Sequence, residues 1–181
     1  MQSIRRLFTG LFLVLLIFSA PNLTAQQSEA PNWQDWGFLL GEWTGTGGGQ
    51  PGQGTGKFAF KPDLQRQVLM RTNYAEYPAT KERPAFRHDD LMIVYRESPS
   101  GPTRAIYFDS EGHVIHYAVK ISESAKTATF LSEPVPGTPS YRLTYIGKGP
   151  DEVSIRFEMA PPDKPGQFRA YIEASARRAV Q

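Results

Sequence analysis

Short β-rich runs recur along most of this chain, each closed by a turn signal, and no long stretch carries helical periodicity. Phe58 and Phe60 alternate with Ala59 before Pro62-Asp63. Val68 to Tyr77 forms a longer run closed by Pro78, and His88 to Arg96 contains the continuously apolar Leu91-Met92-Ile93-Val94-Tyr95. Arg104 to Asp109 and His113 to Lys120 flank Ser110-Glu111-Gly112, where a Gly closing a three-residue loop predicts a hairpin with a type I turn and a bulge. Thr127 to Ser132, Tyr141 to Ile146, Val153 to Met159 and Phe168 to Ala176 follow. In the last two runs Val153, Ile155, Phe157 and Met159 alternate with Ser154, Arg156 and Glu158, and Phe168, Ala170 and Ile172 alternate with Arg169, Tyr171 and Glu173. One face is dry there. About ten strands at a spacing of roughly 8 to 12 residues restrict the chain to an all-β sandwich or barrel.

Gly41-Glu42-Trp43-Thr44-Gly45-Thr46-Gly47 decides for the barrel. A Trp between glycines at a strand start lets the backbone bend while the indole fills an enclosed space, as closing a small barrel requires. The connections that follow are short, which suits an up-and-down meander. Before the motif, Asn32 to Leu40 places Trp33, Trp36 and then Phe38 to Leu40 on one side of a helical turn or two, a cap for one barrel end; the alternative is an irregular apolar lead-in. The expected fold is all-β, an antiparallel up-and-down barrel of about ten strands with a short N-terminal helical cap.

The N-terminus reads as a targeting segment. Arg5 and Arg6 precede the apolar run Leu11 to Phe18, followed by Ser19-Ala20-Pro21 and Leu23-Thr24-Ala25, the form of a secretory signal peptide cleaved near Ala25. A spanning helix needs roughly 20 apolar residues, more than this run supplies. The expected organisation is a signal peptide over 1–25, a flexible polar segment over 26–31, and one barrel domain over 32–181. Export to the periplasm or the exterior follows, by the secretory route or, from the Arg5-Arg6-Leu7-Phe8 order, by twin-arginine export. Arg5 and Arg6 are the only charges in the leader, so its removal leaves 18 Lys+Arg against 18 Asp+Glu. That balance argues against a nucleic-acid-binding face. With no Cys, disulfides, thiolate metal sites and a cysteine nucleophile are excluded, and stability must come from the core. Gly47-Gly48-Gly49-Gln50-Pro51-Gly52-Gln53-Gly54 lacks the Gly-Lys-Ser/Thr ending and the following helix of a phosphate loop, and reads as a flexible connection.

The helical lead-in, Gly41-x-Trp43, the meander and a basic C-terminal strand resemble a calycin: lipocalins, fatty-acid-binding proteins and nitrobindin-like barrels. The resemblance implies that Trp43 plugs the closed end against an Arg of the last strand, Arg177 or Arg178. Trp43, Gly45 and Gly47 match the Trp-x-Gly-x-Gly start of nitrobindin-like haem barrels. Their haem-ligating His lies near the C-terminus, and here no His follows His116, so haem is not expected. Uncharacterised bacterial lipocalin-like families with a Gly-x-Trp-x-Gly start and a Tyr-x-Asp-x-x-Gly hairpin match more closely, through Tyr107-Phe108-Asp109-Ser110-Glu111-Gly112.

Three constellations offer chemistry. His88-Asp89-Asp90 with His113 and His116 supplies imidazole and carboxylate, but His113 and His116 stand on opposite strand faces. His88, His116 and Asp90 form a triad only if all three point inward, and no metal is expected. Arg71, Asn73 and Glu76 interrupt a strand that otherwise reads as buried. Arg71 and Asn73 face either inward, where an enclosed guanidinium demands a carboxylate, or solvent, with Val68, Met70, Thr72 and Tyr74 facing in. Tyr74, Tyr95, Tyr107, Tyr117, Tyr141 and Tyr145 offer cavity walls for an amphipathic ligand, or simply core volume.

The expected function is binding of a small apolar or amphipathic molecule, including an anionic one, inside an exported monomeric barrel without cofactor. The ligand-binding candidates are Arg71, Asn73, Tyr74, Asp90, Arg104, Tyr107 and His116, with Trp43 the structural plug. Two alternatives stand beside it: a cavity enzyme using His116, Asp90, Glu76 or Tyr107 on a small organic acid, and a packed envelope barrel acting through its rim.

Overall fold

The computed structural model describes residues 30–45, 54–98 and 100–180. The signal-peptide reading, most of the 26–31 segment and nearly all of the glycine-rich connection lie outside the described residues. Ten antiparallel strands among the described residues form a closed barrel: β1 (Gly41–Gly45), β2 (Thr55–Asp63), β3 (Val68–Tyr77), β4 (Phe86–Arg96), β5 (Thr103–Asp109), β6 (Val114–Ser122), β7 (Thr127–Ser132), β8 (Ser140–Gly147), β9 (Glu152–Ala160) and β10 (Arg169–Arg178). Each strand pairs with its sequence neighbours. Closure comes from β1 against β10, with Trp43 opposite Arg178 and Gly45 opposite Ala176. This all-β, up-and-down architecture is compatible with a calycin-like fold. No helix of seven or more residues occurs among the described residues; the lead-in contains one 3-10 turn, Gln34–Trp36.

Side-chain alternation assigns the two faces of each strand. In β3 the inward residues are Leu69, Arg71, Asn73, Ala75 and Tyr77, and Leu69 and Arg71 are buried. The outward orientation weighed for Arg71 and Asn73 is thereby corrected. Asp90 across β4 gives Arg71 a buried ionic partner, which removes the cost that made an inward guanidinium unfavourable. In β9, Val153, Ile155, Phe157 and Met159 face inward as their alternation requires. In β10 a register shift between Ala170 and Ile172 breaks the alternation. Tyr171 consequently packs edge-on against inward Phe157, at a ring separation of 6.3 Å, while staying exposed where it borders the cavity.

Because the chain simply meanders, the connections 64–67, 97–98 with 100–102, 123–126 and 148–151 gather at one end with the lead-in, while 78–85, 110–113, 133–139 and 161–168 gather at the other. The lead-in end is filled. Trp33, Trp36, Leu39, Trp43, Phe60, Phe130 and Tyr145 are all essentially inaccessible there. Trp43 stacks on Phe58 at 6.0 Å and donates its indole N–H to the Leu39 carbonyl at 2.8 Å. Arg178 lies 4.3 Å above the Trp43 ring and donates to the carbonyls of Leu40 (2.6 Å) and Pro150 (3.1 Å). Gly41 has φ +104°, and a Cβ on it would meet Arg178 Nη1 at 3.1 Å. The glycine is needed both for the bend and for the arginine's approach to the indole.

Candidate functional site

The opposite half of the barrel holds a cavity of about 610 Å³, within the range of roughly 300 to 1,000 Å³ that small-molecule pockets occupy. Its two walls differ in chemistry. Residues of β8, β9 and β10, among them Tyr141, Leu143, Ile155, Phe157, Met159 and Ile172, make one side predominantly apolar. Strands β3, β4 and β5 make the other side polar, because their inward positions next to the mouth carry Arg71 and Asn73, then His88 and Asp90, then Tyr107 and Asp109. Residues two apart share a face, and the register sets Asn73 opposite Asp90 and Asp90 opposite Asp109. Three neighbouring strands thus deliver their polar pairs to one patch.

Arg71 is the deepest of these groups. It pairs with Asp90 and lies 5.8 and 5.9 Å from the ring centres of Phe58 and Tyr145. Burial opposes its charge, but Asp90 more than compensates and its pKa is raised. Asp90 also accepts from Asn73 Nδ2 at 2.7 Å and faces His88 Nε2 at 3.2 Å. The Arg71 guanidinium and the Tyr145 phenol lie near enough to influence one another, yet neither the hydroxyl nor Arg71 Nε has a hydrogen bond of proper geometry. Burial pushes the Tyr145 phenol up to about 12.

Toward the mouth the network continues through His88. Its Nε2 is 3.1 Å from the Tyr107 hydroxyl, and its Nδ1 is 2.7 Å from Glu111 Oε2. The hydrogen bond to Asp90, resisted by burial and reinforced by Glu111, raises the His88 pKa. Tyr107 donates to Asp109 Oδ2 at 3.3 Å. Burial, with Asp90 and Asp109 nearby, pushes the Tyr107 pKa up, so it remains a phenol and a donor. Asp109 anchors the β5–β6 turn by accepting from the backbone N–H groups of Glu111 (3.1 Å) and His113 (2.8 Å). Burial pushes its pKa up, but the backbone and ring of His113 outweigh that and hold it low. Gly112 closes the turn at φ +88°, as the Ser110-Glu111-Gly112 spacing predicts. The turn therefore positions Glu111 and His113 over the cavity mouth.

Of the sequence candidates, Arg71, Asn73, Asp90 and Tyr107 meet in this patch. Tyr74 borders the cavity, but its ring lies 4.3 Å beneath Arg87, whose partners Glu76 and Asp89 are exposed. Arg104 pairs with Glu133 and Glu97 outside the cavity. His116 is an exposed residue on the outward row of β6, opposite Ile106. The enzyme alternative's His116 and Glu76 thus stand away from Asp90 and Tyr107. His88, Asp109, Glu111 and Tyr117 are cavity residues that the ligand-binding set omitted. His88 was recoverable by counting back two from Asp90, and Asp109 by counting on two from Tyr107.

The arrangement can hold an apolar body against one wall and hydrogen-bond a polar end on the other. No family model and no curated protein matches the sequence.

Proposed function

We propose that the protein is a lipocalin-like carrier that binds a small amphipathic molecule in the open half of its barrel. One observation carries the reading: a roomy interior with an apolar wall facing a polar patch built around the buried Arg71–Asp90 pair. A barrel serving only as a scaffold has no reason to bury that pair, because replacing it with apolar residues is often neutral or stabilising. Since Asp90 already balances Arg71, the patch favours an oxygen acceptor over a bare carboxylate. In this reading the lead-in caps the closed end, Trp43 is the plug, and the chain acts as an exported monomer after loss of residues 1–25.

The test is displacement of an environment-sensitive dye from the mature protein by a fatty acid, its alcohol and its methyl ketone. Displacement by at least one, weakened about 10-fold or more by Arg71→Gln, is the expected result. Mass spectrometry of gently purified protein should also show a co-purified small molecule. Failure of all three compounds, with an empty cavity by mass spectrometry, contradicts the carrier reading.

A further inference from the structure

We propose that the cavity mouth is a divalent-metal centre formed by His88, Asp109 and Glu111, with open positions turned toward the interior. One ligand atom from each of these residues lies within 4.8 Å of the others. They come from three places in the chain: β4, the end of β5, and the turn that follows. Ligands held about 2.0 to 2.2 Å from an ion stand roughly 3 to 3.6 Å apart, so closure needs an adjustment on the order of 1 Å. Glu111, on the turn, can move that far.

The surroundings have the organisation that metal ligands require. A ligating histidine usually gives its second nitrogen to a carboxylate that fixes the ring and its tautomer. Here His88 Nε2 faces Asp90, and Asp90 is in turn locked by Arg71 and Asn73. Asp90 belongs to this support and not to the three ligands. Its side chain is 4% exposed, which makes the support rigid. The Nδ1 nitrogen is left facing Glu111. Charge points the same way. Asp109 and Glu111 bring two carboxylates to His88, with the exposed His113 ring as the second imidazole on Asp109, while the nearby Arg71 is already matched by Asp90. A divalent ion restores the balance. An ion would replace the contact of Asp109 Oδ2 with the exposed His113 ring at 2.9 Å and that of Glu111 with His88 Nδ1 at 2.7 Å.

A second feature of the same cavity asks for a ligand. Arg71 is 93% buried, lines the cavity, and keeps its Nε without a completed hydrogen bond. An ion with open positions would take an oxygen donor such as a carbonyl from a ligand held in the same cavity. The mixed imidazole and carboxylate set suits Zn²⁺ or Mn²⁺ rather than a soft ion. Three protein ligands with the rest open resemble a reactive or ligand-binding centre more than a structural one. The centre deepens the carrier reading by naming an oxygen-donor ligand, but metal binding itself does not depend on that reading.

The experiment strips the full mature chain with chelator and titrates it with Zn²⁺ by calorimetry, repeating with Co²⁺ for its visible absorption. One ion per chain is expected. His88→Gln and Glu111→Gln should each weaken binding by about 100-fold while the circular dichroism stays native, and Asp90→Asn should weaken it by roughly 10- to 100-fold. His116→Gln, on the outer face, should change nothing. No binding by wild type, unchanged binding in both ligand variants, or loss in His116→Gln overturns the centre. Dye displacement that persists in the stripped protein while Zn²⁺ fails to bind would refute the metal and leave the carrier reading standing.

Discussion

At the closed end Trp43 hands its indole N–H to Leu39 and lies under Arg178, whose own donors end on Leu40 and Pro150. At the open end Arg71 keeps an Nε–H without a completed bond, two carboxylates crowd one histidine, and a 610 Å³ space separates them from the opposite wall. The same ten strands build both. The difference lies in which inward positions carry aromatic rings that fill space and which carry charges that leave demands open. The exceptions sharpen the contrast: the Tyr145 hydroxyl has no completed bond, and Trp36 is fully buried among Phe60, Phe130 and Trp33, yet its Nε1 has no partner. Such a group costs about 1 to 3 kcal/mol. The filled end tolerates it because the three rings around it are well packed. Stability is therefore expected to reside in the filled end and function in the unfilled one.

The largest expected effect is at the plug. Trp43→Ala should cost about 3 to 5 kcal/mol in chemical denaturation, as removal of a large core side chain does. Phe86→Ala at the mouth, where the ring is 43% exposed, should cost under about 1 kcal/mol. Similar losses at both sites would erase the contrast between the ends.

Asp90→Ala comes next, because it strands a buried guanidinium, and breaking a buried pair from one side costs about 3 to 5 kcal/mol. Replacing Arg71 and Asp90 together with leucine should recover most of that loss while abolishing dye binding. A double variant as unstable as the single would mean that the pair holds the fold, not the site.

Arg178→Gln should cost about 1.5 to 3 kcal/mol, since hydrogen bonds from a charged donor to the lead-in carbonyls are lost with the contact over Trp43. Urea midpoints for Arg178→Gln and Arg177→Gln measure it, and equal midpoints would remove Arg178 from the closure.

The smallest effect is a pH dependence on the outer wall. Arg142 holds the Glu158 carboxylate, through bonds of 2.6 and 2.9 Å, and lowers its pKa, with burial opposing. A carboxyl whose folded pKa is depressed stabilises the fold above its unfolded value, about 4.3, and that contribution is lost as pH falls through the folded value. The stability gap between wild type and Glu158→Gln should be constant near neutrality and close below about pH 4. A gap that widens on acidification would reverse the sign.

The barrel was legible because its information is periodic. Val68–Tyr77 and Thr127–Ser132 have the bounds that their turn residues imply, and Gly41-x-Trp43 marked the plug through a backbone demand that only glycine meets. The site was half legible. Arg71 and Asp90 sit on different strands, and nothing in either run says that each is the other's partner. Without that pairing, an inward charge looks too costly to assign. Arg104 and His116 misled for the opposite reason: their residue types suit a ligand, but Ala105 and Tyr117 beside them take the inward positions. Tyr171 escaped because a bulge shifts the face of β10, and bulges leave no mark in an alternating pattern.

The central claim is that the open half is a binding site, and filling it tests this most directly. Ala174 lines the cavity on β10, opposite Ile155. Wild type is expected to bind one dye per chain, and Ala174→Trp should abolish that binding while thermal stability is retained or raised. Undiminished dye binding in a folded Ala174→Trp protein, or no binding by wild type, would contradict the account.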